Sequence, residues 1–578
     1  MMLSDIPFKN VVLLDTEFYG LPGNRQIPVC MVLREWRTGE TIRLWQDDLQ
    51  QLSECPFPVD SDSCYVAYYS SAEWNTFLAL GWPLPVNVID FYVEFRCLTN
   101  DLLPFGRAGF IDALNYFRIP SIGHAEKTEM RDLILTGGPW DAAQKTAILD
   151  YCESDVQGLA DLYPYMMPRL DLPMALLRGR FMPATARMEW LGIPIDTEGY
   201  ERLSSHWERI QEELIHRINW DFYCVYDGKR FRSRIWEWYL IRNGISWPRT
   251  PTGKLDLKQE TFESMLRLYP QIEPIYNLRN TIGKMRLRNI AVGSDGRNRT
   301  LLSPFRSRTS RTQPSSAKFI LGSAAWMRGL IQPTPGRALA YVDYSQEEFA
   351  IAAALSQDTT MQEAYLSGDP YLSLAKLAGY VPPHATKETH ARERGIYKEC
   401  CLAIQYGLGP ANFANKIGTS PVIAEALLQS HRNTFRKFWA WSDDVVRYAM
   451  IHGRLWSVFG WYRHYRWVRE QSARNFCIQA AGAEILRLAI IHAQAAGVQV
   501  LAPLHDALLI ESDIGHIEEV AGRTQRVMKR AGEQTLKGFP LRTETKLILS
   551  PERYMEPRGQ AMWDLVWNIV RAIEQGNL

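Results

Sequence analysis

The segment ALAYVDYSQEEFAIAAAL, residues 338–355, limits the fold more than any other stretch. It begins as a buried strand, continues as an alanine-rich helix, and sets three acids, Asp343, Glu347 and Glu348, at the join. A second stretch, VQVLAPLHDALLIES, reads as two apolar strands around a polar tight turn that holds His505 and Asp506 at the edge of a sheet. A lone His-Asp pair in a turn carries little meaning. Two strand-end acids together suit a divalent metal, because Mg²⁺ favours oxygen ligands and is gripped by one or two carboxylates plus substrate phosphates.

Between these two stretches lies RERGIYKECCLAIQYGLG, in which Arg394, Lys398, Leu402 and Tyr406 recur every four residues. At 3.6 residues per turn each step of four drifts by about 40°, so the four residues cover a stripe of roughly 120° on one helix face. That face offers two cations, an apolar residue and a ring, the groups needed to hold a triphosphate, pack a sugar and stack on a base. Taken alone, the stripe would more simply be a solvated basic end followed by core contacts. The company of two metal-type aspartates shifts the balance.

The first 170 residues alternate strand-like segments (VVLLD, CMVLREW, TIRLW, CYVAYY) with helical ones such as AEWNTFLALG, an α/β pattern. After the proline-marked YPYMMPRLDLPM, amphipathic helical patterns run to about residue 300. Helices are predicted around 370–379, 387–406, 421–452 and 470–497, followed by the hairpin, a helix over GHIEEVAGRTQRVMKRAG and a strand at TETKLIL. At 578 residues the chain is long enough for three or four domains. Hydrophobic residues at 46% and charged residues at 22% indicate a soluble globular protein. No apolar run reads as membrane-spanning and MMLSDIPFKN has no signal-peptide core, so an intracellular protein without a membrane partner is expected.

Nine cysteines without CxxC spacing indicate reduced, mostly buried thiols. A net charge of +1 is uninformative, but Arg279, Lys284, Arg286, Arg288, Arg297, Arg299, Arg306, Arg308 and Arg311 face one acid, Asp295, within a single segment. Interleaved with Gly, Ser, Thr and Asn, this cluster is read as nucleic-acid backbone contacts ahead of a plain solvated face. At the N-terminus, VVLLDTEFYG ends a strand with Asp15 and Glu17 on the same side, and YCESDVQGLADLY places Tyr151 and Asp155 one helical turn apart.

DYSQEE, RGIYKECCLAIQYG and LHDALLIE, in this order and spacing, resemble the first palm motif, the fingers helix and the second palm motif of the family A DNA polymerases. RSRTSRTQP, MEWLGIPID and RNFCIQAAGAEI extend the resemblance over nearly the whole chain. It implies a multidomain α/β and α+β protein. A 3′-5′ exonuclease domain of RNase H-like fold would occupy residues 1–170, a mostly helical thumb and connecting segment 171–335, and a palm with fingers inserted at about 365–452 the remainder, 336–578. By the same resemblance, Asp343, Asp506 and the backbone carbonyl of Tyr344 bind two Mg²⁺ ions, with Mn²⁺ as an alternative. Gln346, Glu348, Arg394, Lys398, Leu402 and Tyr406 contact the dNTP, Lys398 as the proton donor to pyrophosphate and Glu348 as the sugar-selecting acid. Arg308, Asn475, Gln479 and His505 contact primer-template DNA.

The N-terminal acids resemble those of DnaQ-like exonucleases, which implies two further metal ions on Asp15, Glu17, Asp155 and a middle acid, with Tyr151 orienting the attacking water. Glu73, in YVAYYSSAEWNTF, is favoured over Asp90 as that middle acid because it follows a strand and opens a helix. The expected partners are primer-template DNA, dNTPs and a single-stranded 3′ end, bound by a monomer in the cytoplasm of a bacterium or phage-infected cell.

Ala507 stands where glutamate is usual, Leu402 where an aromatic residue packs near the sugar, Ala350 where arginine is common and Tyr371 where histidine is frequent. Because DTE begins at residue 15, no 5′-nuclease domain is expected. A single-subunit RNA polymerase would share the two aspartates and the helix, but Glu348 and the exonuclease motifs oppose that reading; a DNA-binding scaffold with decayed sites is the non-catalytic alternative. No family role falls on Glu347, which is expected to be a helix-start or surface charge, and the C-terminal MWDLVWNIV is expected to pack on the palm.

Overall fold

The apolar run VVLLD lies in strand Asn10–Tyr19, where Val11 to Leu14 are all buried. The computed structural model describes residues 6–104, 107–120, 123–284, 287–405, 407–465 and 469–577. The strand is third of five, in the order Thr41–Trp45, Ile27–Glu35, Asn10–Tyr19, Ser63–Ala67, Asn87–Asp90. The first two pairings are antiparallel and the last two parallel. Because successive side chains alternate, Val11 and Leu13 join Ile148 and Val156 of helix Ala142–Met166, while Val12 and Leu14 join Trp74 and Phe77 of helix Ser71–Leu80. Both faces are therefore covered, and Asp15 and Glu17 continue the odd-numbered face toward the long helix.

From Leu172–Gly179 to Glu273–Lys284 the chain is mostly helical, with Phe222, Trp236, Tyr239, Trp247 and Phe262 stacked edge-on and face-on at its centre. This unit is locked to the first by the buried pair Arg178–Glu94 at 2.7 Å. Close approach completes the joint: a Cβ added at Gly179 would lie 1.8 Å from the Val88 carbonyl oxygen.

A second sheet has the order Gln499–Leu504, Ala507–Asp513, Arg337–Tyr344, Thr543–Leu549, antiparallel throughout. Helix Ile517–Thr535 packs on this sheet and against helix Glu470–Ala495. The alanine-rich helix Glu347–Ser356 also lies on Glu470–Ala495, small residues allowing the approach. Between the two parts of this sheet, helices run from Thr359–Leu366 through Pro370–Leu377, Ala391–Gln405 and Pro410–Ile417 to Arg436–His452.

Three expectations need correction. The predicted helix over 421–452 is two helices, Pro421–Thr434 and Arg436–His452, broken at Phe435. Helix Pro557–Glu574, which contains MWDLVWNIV, packs chiefly on the turn Ala325–Leu330 and helix Trp207–Asn219 rather than on the palm sheet, with Trp563 against Trp326. Helix Glu470–Ala495 is long and apolar enough to cross a membrane, but 72% of its apolar window is buried inside the protein, which accounts for its composition. All nine cysteines are free and seven are buried, as their spacing suggested.

Candidate functional site

In the second sheet, register brings the two strand-end acids together. Asp343 pairs with Ala507 across one edge of its strand and with Glu544 across the other, so Asp506, one residue earlier, stands beside it. The Tyr344 amide donates to the Asp506 carbonyl at 3.3 Å. The turn holding Asp506 needs a left-handed residue, and His505 takes that place at φ 59°. Burial and then the Asp506 charge raise the Asp343 carboxyl to about 7, and burial also raises Asp506. Asp343 Oδ1 is buried with no hydrogen-bond partner. Two adjacent carboxylates and an orphaned oxygen form a donor set that fits a divalent cation. The Tyr344 ring itself is in the core, its hydroxyl donating to the Met528 carbonyl at 2.7 Å, which leaves the backbone as its contribution.

Around this pair, Gln346 adopts φ 50° and accepts from Arg542 at 2.8 Å, which ends the strand and starts the helix. Glu348 accepts from Arg311 at 3.2 Å. Helix Ala391–Gln405 carries Arg394, paired with Asp369 and 5.5 Å over the Tyr371 ring, then exposed Lys398 and half-buried Leu402. Tyr406 lies outside the described residues. Asn475 and Gln479 share a face of the long helix, and Asn475 Oδ1 is buried without a partner.

Glu347 opens helix Glu347–Ser356, the helix start expected, but it is not a surface charge. It is 4% exposed, its Oε1 has no partner, and burial followed by the Asp506 charge pushes its carboxyl well above the ordinary range. It lines a groove of about 360 Å³ with Arg311, Gln313, Gly482, Arg487 and His505. The sequence offered Arg311 only as one member of the basic cluster, with the individual DNA contact assigned to Arg308 of the same segment. Arg308 is half exposed and bound to Asp101 of the N-terminal unit at 2.6 Å. The signal for Arg311 was its place three residues further along the same polar, basic run.

Three of the described members of the basic cluster are held by protein groups, while Arg306 is exposed. Arg279 lies over Phe231 and Phe262, Arg297 pairs with Glu511 at 2.6 Å, and buried Arg299 binds Asp295, Gly23, Trp190 and Leu191. The side chains of Lys284, Arg286 and Arg288 lie outside the described residues.

In the first sheet, Asp15, Glu17 and Asp155 bring carboxylate oxygens within 4.8 Å of one another. Burial and then Asp155 raise the Asp15 carboxyl to about 8; burial and then Asp15 raise Glu17 and Glu73 far above their ordinary range. A metal-free cluster of this kind holds protons, and a divalent cation would release them. Tyr151 is buried on the same helix face as Asp155. Glu73 is buried with Oε2 unpartnered. Asp90 is differently employed: its oxygens accept from the amides of Tyr69, Ser70 and Val93 and from the Ser70 hydroxyl, capping helix Phe91–Thr99.

Residues 320–548 match the family model of DNA polymerase family A. Over 447 residues the chain is 25% identical to DNA polymerase I of Aquifex aeolicus, a match covering 69% of this chain and 75% of that one. DNA polymerase I of Deinococcus radiodurans is 26% identical over 210 residues, covering 34% of this chain and only 22% of the relative. Among solved structures, the POL domain of Pol1 from M. smegmatis in complex with DNA primer-template and dNTP shares the fold with a TM-score of 0.67 at 20% identity, covering 93% of this chain and 94% of that one. The segment that matches DNA polymerase family A, residues 320–548, is the one that holds the two adjoining strand-end aspartates and the helix carrying Arg394 and Lys398.

Proposed function

We propose that the protein extends a DNA primer on a template by two-metal nucleotidyl transfer from dNTPs, and removes mispaired 3′ ends at a separate N-terminal exonuclease centre. The observation that carries the first part is the Asp343–Asp506 pair, half-buried, with the Asp506 charge raising the Asp343 carboxyl, and left with an orphaned oxygen. Divalent ions, when bound, would lower the pKa of the attacking 3′-hydroxyl and neutralise charge on the transferred phosphate. Asp343, Asp506 and the Tyr344 carbonyl would hold them. Lys398, exposed on its helix, would meet the triphosphate and give a proton to the departing pyrophosphate. Arg394 would exchange Asp369 for phosphate oxygens, a bidentate partner for a guanidinium. Glu348, held by Arg311, would lie at the sugar of the incoming nucleotide, and Asn475, Gln479 and His505 along the primer-template.

For the exonuclease, the grouping of Asp15, Glu17 and Asp155 supports a two-metal hydrolytic centre, with the unpartnered Glu73 as its fourth acid and Tyr151 orienting water. The full occupation of Asp90 in capping supports Glu73 over it. Bacterial and phage relatives support a cytoplasmic site of action.

Primer extension with Mg²⁺, with and without dNTPs, tests both activities together. Asp343→Ala should abolish extension; Asp15→Ala with Glu17→Ala should abolish 3′ degradation and leave extension intact. Preferential use of NTPs, or extension by Asp343→Ala near the parent rate, would overturn the polymerase reading. Loss of both activities in the N-terminal double variant would overturn the separation of the two centres.

A further inference from the structure

Helix His124–Leu135 packs against strand Asn10–Tyr19 and helix Ala142–Met166, and its Lys127 points into the N-terminal acid cluster. Its ammonium donates to Asp155 Oδ2 at 2.8 Å, with side chains 31% and 13% exposed. The same nitrogen lies 5.6 Å from the Tyr151 ring centroid and 5.5 Å from that of Phe110. Its charge also opposes the upward shifts of Asp15 and Glu17. No motif in the sequence points to this lysine, and the mechanism above gives it no task.

Three carboxylates within 4.8 Å need positive charge, and among the described residues Lys127 supplies a cation bonded directly to one of them. From this geometry we infer that Lys127 is a tethered counter-ion of the exonuclease centre, which holds Asp155 in the metal-free protein and competes with a divalent ion for that carboxylate. The inference rests on the exonuclease reading. An ion that takes Asp155 must release Lys127, so metal binding and lysine docking oppose each other reciprocally. The Tyr151 and Phe110 rings, each within 6 Å of the ammonium, hold it close to the site by cation–π attraction while it is displaced. Lys127 is thus a positioning residue that sets metal affinity at this centre.

The test is a Mn²⁺ titration followed by electron paramagnetic resonance on the full chain carrying Asp343→Asn and Asp506→Asn, which silences the second sheet's acids. Removing a charge-assisted hydrogen bond that competes with the ion should tighten Mn²⁺ binding roughly tenfold in Lys127→Met. Lys127→Gln should tighten it less, and Lys127→Arg should stay near the parent value. Primer extension by Lys127→Met with the second sheet's aspartates intact reports that the variant folds. Unchanged or weaker Mn²⁺ binding in both Lys127→Met and Lys127→Gln would overturn the inference while leaving the exonuclease reading in place. If Asp15→Ala with Glu17→Ala removes no Mn²⁺ from the parent stoichiometry, the exonuclease reading fails and the inference falls with it.

Discussion

Lowering the pH from 8 to 6 should weaken divalent-metal binding at Asp343 and Asp506 by about tenfold. The Asp343 carboxyl is raised to about 7, first by burial and then by the neighbouring Asp506 charge, so the metal-free site holds a proton that ordinary aspartate would have lost. A metal ligand must be ionised. With that pKa, roughly nine-tenths of Asp343 is ionised at pH 8 and roughly one-tenth at pH 6. The apparent affinity should therefore rise with pH, level off above about 8, and release about half a proton per ion bound at pH 7. Calorimetric titration of Mg²⁺ or Mn²⁺ into the Asp15→Ala, Glu17→Ala variant isolates this centre. Repeating it in buffers of different ionisation enthalpy counts the protons. A dissociation constant that does not change between pH 6 and 8, with no proton release, would refute the reasoning.

Gly179→Ala should destabilise the protein by about 3 kcal/mol, because its Cβ would meet the Val88 carbonyl oxygen at 1.8 Å and backbone on both sides must shift; urea unfolding within about 0.5 kcal/mol of the parent would contradict this. Glu347→Leu should raise the thermal midpoint, since it removes a buried carboxyl whose Oε1 is unpaired, a group that costs about 1–3 kcal/mol; a lower midpoint would mean that the acid has a structural partner. Arg299→Ala should lower stability by about 2 kcal/mol through loss of its Asp295 and carbonyl contacts, yet leave the salt dependence of DNA binding unchanged. A shallower salt slope would restore Arg299 as a phosphate contact.

Element types and the order of the chemistry were legible in the sequence because they are local. The short apolar run VVLLD and the length of ALAYVDY specify strands, and four-residue recurrence places Arg394 with Lys398 and Tyr151 with Asp155 on single helix faces. Asp343 and Asp506 could be named as a pair because each ends an apolar strand, and the antiparallel register that pairs Asp343 with Ala507 then sets them side by side. Partners distant in sequence were not legible. Arg299 finds Gly23 and Trp190 and Arg308 finds Asp101 through the docking of units whose faces carry no local signature, while Lys127 finds Asp155 through the packing of two helices within one unit. The fate of ambiguous acids was decided the same way. Asp90 became a helix cap and Glu347 a buried, unpaired carboxyl, while Glu73 kept an open oxygen beside Asp15. Periodicity and residue type determine which groups a chain can offer to a site. Burial and neighbouring charge, which exist only once the chain has folded, determine which of them are free to act there.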